Sequence, residues 1–204
     1  MKRLIIVLFV LLLMIWHISP NLKAKDEGQK NIFFINEARL LEKAGIIRGD
    51  KDSNLMLGNT LTRQDLVVVI SRLYNEEDKV KKITTDLAFS DVKKDAYYYN
   101  YIAWALERKL ITGISDTEFG VDSDVTVKEL EVILLRILGY EEQAKNWNII
   151  ETLSASVGLL DGLEFKDNRP INRGELSKMI VNALNTERQG STLKLKDILN
   201  VKLD

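Results

Sequence analysis

One short pattern occurs three times in the 204 residues, and it limits the possible folds more than any other feature of the chain. Ala44-Gly45-Ile46-Ile47-Arg48-Gly49 precedes Leu61-Thr62-Arg63-Gln64-Asp65-Leu66; Lys109-Leu110-Ile111-Thr112-Gly113 precedes Val125-Thr126-Val127-Lys128-Glu129-Leu130; Gly158-Leu159-Leu160-Asp161-Gly162 precedes Ile171-Asn172-Arg173-Gly174-Glu175-Leu176. Gly49 to Thr62 and Gly113 to Thr126 both span thirteen residues, and Gly162 to Asn172 spans ten, so the third loop is three residues shorter. An apolar residue stands seven before each Thr/Asn (Leu55, Phe119, Phe165) and another one before it (Leu61, Val125, Ile171). Self-similarity at this scale marks a repeat architecture, in which each unit is too small to bury its own apolar face.

Each unit reads as helix, glycine stop, loop, helix. In the second, Tyr98, Tyr101, Ile102, Ala105, Leu106 and Leu110 recur at spacings of three and four, the mark of one buried helical stripe. Gly113 is then expected to be the left-handed C-terminal cap. After the loop come Leu66, Val69, Ile70 and Leu73 in unit one, Leu130, Ile133, Leu134, Ile137 and Leu138 in unit two, and Leu176, Met179, Ile180, Ala183 and Leu184 in unit three. Thr62 with Asp65, Thr126 with Glu129 and Asn172 with Glu175 each set an N-cap residue three places before an acid, the capping-box arrangement. The expected fold is mainly α, with three helix-loop-helix units packed as one pseudo-threefold domain: residues 30–80, 86–140 and 141–186, then a tail at 187–204. In that tail Leu193, Leu195, Ile198, Leu199 and Val201 are placed to pack back as a short element or to meet a partner.

Lys2 and Arg3 precede a run from Leu4 to Ile18 that is apolar except for His17, followed by Ser19, Pro20 and Leu22-Lys23-Ala24. That layout predicts a secretory signal at residues 1–24, whose apolar run is shorter than the ~20 residues of an ordinary membrane span; membrane contact is expected only if it stays uncleaved. Without those residues the balance of 29 basic and 30 acidic groups becomes 26 to 30. A mildly acidic chain with no long basic cluster argues against a nucleic-acid partner. Cysteine is absent and the single histidine is His17, which excludes disulfides, thiolate metal sites and histidine-based hydrolysis in the exported part. Asp50-Lys51-Asp52-Ser53-Asn54 begins like a calcium loop, but Leu55 replaces its turn glycine and Leu61 its bidentate glutamate. The expectation is no enzyme, no cofactor and no metal.

The second unit, with Phe89-Ser90-Asp91-Val92, Tyr97 to Ile102, Leu110-Ile111-Thr112-Gly113, Phe119 and Thr126-Val127-Lys128-Glu129, resembles an S-layer homology repeat (F-x-D-V, an aromatic, a glycine turn, a loop with Phe, T-R-A-E). The resemblance extends over about residues 30 to 186 and is weaker in units one and three, which lack the F-x-D-V lead; unit two has Val127 where arginine belongs. It implies an exported protein of the cell wall, S-layer or cell surface, held noncovalently by an anionic secondary cell-wall polymer, often a pyruvylated polysaccharide. The ligand contacts it implies are Arg63, Arg173, Asp91, Tyr97 and the turn glycines Gly49, Gly113 and Gly162, with Lys128 as a substitute for the missing arginine. The alternative is an envelope structural or interaction protein that keeps the fold without polymer binding, tethered where the N-terminal segment stays uncleaved.

Physical chemistry supports the two arginines separately. A cation in the first helical turn opposes the macrodipole, so Arg63 and Arg173 call for an anion beside them. On that reading, replacing both by alanine leaves the fold intact and weakens wall binding. Tyr98, Tyr101 and Trp104 have helical spacing and are expected in packing; Tyr97 carries the functional expectation.

Overall fold

The computed structural model describes residues 34–203. The export signal expected at residues 1–24 and the start of the first unit lie outside the described residues. Among the described residues there are eight α-helices: α1 Ile35–Lys43, α2 Arg63–Leu73, α3 Glu77–Val80, α4 Tyr99–Glu107, α5 Val127–Ile137, α6 Ile150–Ser156, α7 Arg173–Asn185 and α8 Leu195–Leu199. A 3₁₀ turn at Gln143–Lys145 precedes α6. The β-structure among the described residues consists of isolated bridges.

The three matched helices α2, α5 and α7 begin one residue after Thr62, Thr126 and Asn172, each in extended conformation. Thr126 and Asn172 close capping boxes: the Glu129 N–H donates to Thr126 Oγ1 at 3.4 Å and the Glu175 N–H to Asn172 Oδ1 at 2.9 Å, while both glutamates accept from the N-cap N–H. Asp65 is one methylene shorter than glutamate and forms no box; its Oδ2 accepts from the Thr62 hydroxyl at 2.9 Å. Every residue named in the three apolar stripes is buried.

Packing joins neighbouring units rather than the two helices of one unit. α2 lies against α4 of the next unit, α5 against α6 of the next, and α7 returns to α1. The residues before the N-caps complete the same cycle in backbone hydrogen bonds. The Arg63 N–H donates to Ser123 O, the Val127 N–H to Arg169 O and the Arg173 N–H to Asn59 O, each at 2.9 Å. Antiparallel bridges Thr62 with Asp124, Thr126 with Pro170 and Thr60 with Asn172 run round the same three segments. The extended N-caps therefore bond to one another and form a closed hub under three helix pairs, which satisfies donors that a helix start leaves open.

The ends of the first helices follow a rule that differs from the expectation. Gly45 (φ 75°), Lys109 (φ 56°) and Gly158 (φ 81°) hold the left-handed position after α1, α4 and α6. The next residues, Ile46, Leu110 and Leu159, bond back to Leu41 O, Ala105 O and Ser154 O, the Schellman pattern. Gly113 lies four residues beyond that cap and is required for a different reason: a Cβ there would stand 2.6 Å from Phe89 Cε1 and 2.6 Å from Ser115 O. Gly49 is crowded in the same way, 2.9 Å from Asn54 O, whereas Gly162 combines φ 75° with Lys178 Cε at 3.2 Å.

Of the aromatic run, Tyr99 and Trp104 are buried and Tyr98 and Tyr101 half-buried. Trp104 donates to Glu76 Oε2 at 2.9 Å and packs edge-on to Tyr74 at 5.7 Å, with Arg108 over both rings. The tail turns back at Gly190, pairs Lys194 with Glu187, and packs α8 on α7 with Leu195 buried; Leu193 and Ile198 remain exposed.

Candidate functional site

Arg63 and Arg173 point across unit boundaries, into the turn of the following unit in the cycle. Arg63 donates through Nε to Phe119 O at 3.0 Å and through Nη2 to Thr112 O at 2.7 Å. Arg173 repeats this with Leu55 O and Arg48 O, both at 2.8 Å. These carbonyls belong to matched positions, so the guanidinium fork fastens one helix start to the next turn. Arg63 also bonds Glu129 Oε1 at 2.8 Å, is 5% exposed and lies 5.0 Å over the Phe119 ring. Burial lowers its pKa while Glu129 and Asp91 favour the charge. The anion that the macrodipole argument demands beside Arg63 is thus Glu129. Alanine at 63 would therefore remove an inter-unit fastening, so the substitution is expected to weaken the fold as well as any binding.

Asp91 is equally committed. Its Oδ1 accepts from the Phe119 N–H at 2.9 Å and its Oδ2 from the Gly120 and Val121 N–H groups at 2.8 Å each. Burial pushes this carboxyl up, but the three backbone donors outweigh it and hold it below the ordinary aspartate value. Lys128 is half-buried, with Nζ 5.3 Å from the centre of the exposed Trp147 ring, and its N–H donates to Asn168 Oδ1 at 3.0 Å.

Of the expected ligand residues, Arg173 and Tyr97 come together. They line a groove with Arg48, Asp65, Arg72 and Tyr101, over Val68 and Val69 of α2. Tyr97 is 64% exposed, donates its hydroxyl to Asp65 Oδ1 and stacks edge-on to Tyr98 at 5.1 Å. Burial and then Asp65 raise its pKa far above the ordinary phenol, so it stays a neutral donor. Arg48 Nη2 reaches Glu77 Oε2 at 2.9 Å, Arg72 Nε reaches Glu77 Oε1 at 3.0 Å, and Tyr101 donates to the same oxygen at 3.2 Å. For Arg173, burial lowers the pKa, Asp65 opposes that and Arg72 adds to it. Three guanidiniums with two carboxylates leave the groove net positive, with two phenol rings on its wall: a surface suited to an anionic, ring-bearing ligand.

Arg48, Arg72 and Tyr101 were not among the expected contacts. Arg72 had a signal: it stands ten residues after its N-cap, as Arg136 and Asn182 do. Those two hold Leu110 O and Leu159 O at 2.9 Å, whereas Arg72 turns to Glu77 and the groove.

The family match falls on the unit that carries Asp91 and Gly113. Residues 88–126 match the S-layer homology domain family. The chain is 24% identical over 149 residues, 72% of its length, to a middle cell wall protein of Brevibacillus brevis, of which that region is 14%. It is 33% identical over 95 residues, 47% of its length, to a surface-layer 125 kDa protein of Lysinibacillus sphaericus, covering 8% of that protein. An endoglucanase of a Bacillus species is 36% identical over 107 residues, covering 47% of this chain and 11% of the enzyme. The chain thus spans well under a quarter of the length of each of these relatives.

Proposed function

We propose that this chain holds a protein at the bacterial cell surface by binding the cell wall noncovalently, through an anionic secondary cell-wall polymer. The observation that carries the reading is the groove in which Arg48, Arg72 and Arg173 meet Tyr97 and Tyr101. Its partner chemistry is a carboxylate on a saccharide, for which a pyruvylated polysaccharide is the fitting class. Similarity to surface-layer and cell wall proteins supports the cellular location. Units one and three, which share the hub with the S-layer homology unit and carry the fastening arginine that Val127 replaces there, are read as diverged repeats of the same family.

A second reading has its own support. Arg63 and Asp91 spend their polar atoms on internal partners and Val127 replaces an arginine, which fits a structural or interaction protein that keeps the fold without polymer recognition. The test is sedimentation with purified walls and with walls stripped of their secondary polymer. Arg48→Ala and Tyr97→Phe are suitable variants because the Arg48 side chain is exposed and neither change touches the hub. Polymer-dependent binding weakened about tenfold or more by Arg48→Ala, the loss of roughly one charge-assisted contact, supports the first reading. Equal binding to both wall preparations, or none, sinks it in favour of the second.

A further inference from the structure

Where Val127 replaces the arginine, the boundary between units two and three is left open. A groove of ≈ 580 Å³ lies there, lined by Val127 at the start of α5, Ala155 of α6 and the loop from Leu160 to Asn168. Glu131, one turn along α5, lines it and is only 2% exposed. Its Oε2 and the buried Ser154 Oγ of α6 have no hydrogen-bond partner beyond the side-chain contact between these two residues. Around the rim stand Glu151, Asp161, Glu164 and Asp167, against Lys128 and Lys166. Lys128 is drawn away to the face of Trp147.

A carboxylate this buried, facing further carboxylates, is costly unless a cation reaches it. Burial is the main force raising the Glu131 pKa; Ser154 opposes it and the nearby Glu151 adds to it. A hard metal ion does not suit the place, since it needs six or more preorganised oxygens and no cluster of three metal-ligating side chains exists among the described residues. An ammonium group does suit it: compact, with three donors for a carboxylate, a hydroxyl and the acidic rim. The sugar-sized volume and the half-buried Phe165 wall leave room for the body that carries it.

We propose that this groove binds a primary ammonium group of an amino sugar or a peptide amine, with Glu131 as its floor. The site is separate from the arginine groove and does not rest on the wall-binding reading.

The ¹⁵N-labelled protein would be titrated with glucosamine, with N-acetyl-lysine methylamide and with N-acetylglucosamine as the neutral control, following amide shifts. Saturable shifts at residues 127–131 and 160–168 are expected for at least one ammonium probe, with a Kd on the order of 1 mM; the tighter probe identifies the source. Glu131→Gln, which keeps the shape, weakens that binding at least tenfold. Val127→Arg, which fills the groove, abolishes it. No saturable shift with either ammonium probe, equal affinity for N-acetylglucosamine, or unchanged affinity in Glu131→Gln overturns the proposal. Arg48→Ala leaves this titration unchanged, so its failure and that of the arginine groove are told apart.

Discussion

Asp91 shows how one side chain sets a loop. Its two oxygens take three consecutive N–H groups, from Phe119 to Val121, that no helix or strand satisfies. Those donors keep the folded-state pKa below the unfolded value of about 3.9. A depressed carboxyl contributes stability that is fully present above the unfolded pKa and is lost as pH falls through the folded one. Asp91→Asn retains one acceptor and loses the charge, so it should cost about 1 to 2 kcal/mol at pH 7, within the range for hydrogen bonds to a charged group. Its deficit should shrink as pH falls from about 3.9, where the unfolded chain's aspartate takes up a proton, towards the lower folded value, where the folded one does as well. Urea unfolding at pH 7 and at pH 3 measures both quantities; a deficit that stays constant with pH would mean that shape rather than charge holds the loop.

At the scale of elements, the start of each second helix does two jobs, and only the local one is written in the local sequence. The capping boxes of α5 and α7 follow from Thr126-x-x-Glu129 and Asn172-x-x-Glu175, since both partners lie within four residues. The apolar stripes were legible for the same reason, because periodicity is a property of one helix. The partners of Arg63 were not: Thr112, Phe119 and Glu129 lie 49 to 66 residues away, and spacing carries no information about which neighbour a guanidinium meets. The left-handed cap at Lys109 was hidden because glycine marks that position in the other two units but not in this one. Removing Arg63 leaves Glu129 without its ion pair and two carbonyls without donors. Arg63→Ala is therefore expected to lose about 2 to 4 kcal/mol, the range for breaking a largely buried charge pair, discounted for the partial exposure of Glu129. Arg63→Lys should recover only part of that, because one ammonium cannot reproduce the fork. The midpoint of urea unfolding at unchanged slope reports the loss; a lysine variant as stable as wild type would show that charge alone suffices.

The whole molecule is a closed cycle rather than an open stack, and the two arrangements respond differently to cutting. In an open array each unit touches only its neighbours, so removing an end unit leaves the remainder folded with one exposed face. Here α7 packs on α1, and the Arg173 N–H and side chain reach Asn59, Leu55 and Arg48 of unit one. Arg63 supplies the donors for the turn of unit two, and Gln64 binds Asp122 through its amide at 2.7 Å and accepts from that residue's N–H at 3.0 Å. Taking away unit one thus opens two boundaries at once, one on α7 and one on the S-layer homology unit, and leaves two thirds of the hub without its third side. A fragment of residues 86–204 should accordingly show no cooperative thermal transition by circular dichroism, whereas the full chain unfolds in a single one. Adding residues 34–85 in trans should restore the transition, because the missing donors and apolar faces lie on that piece. A fragment that melts cooperatively alone would mean that units two and three form a self-sufficient core, and that the return of α7 to α1 is packing added to a fold already complete.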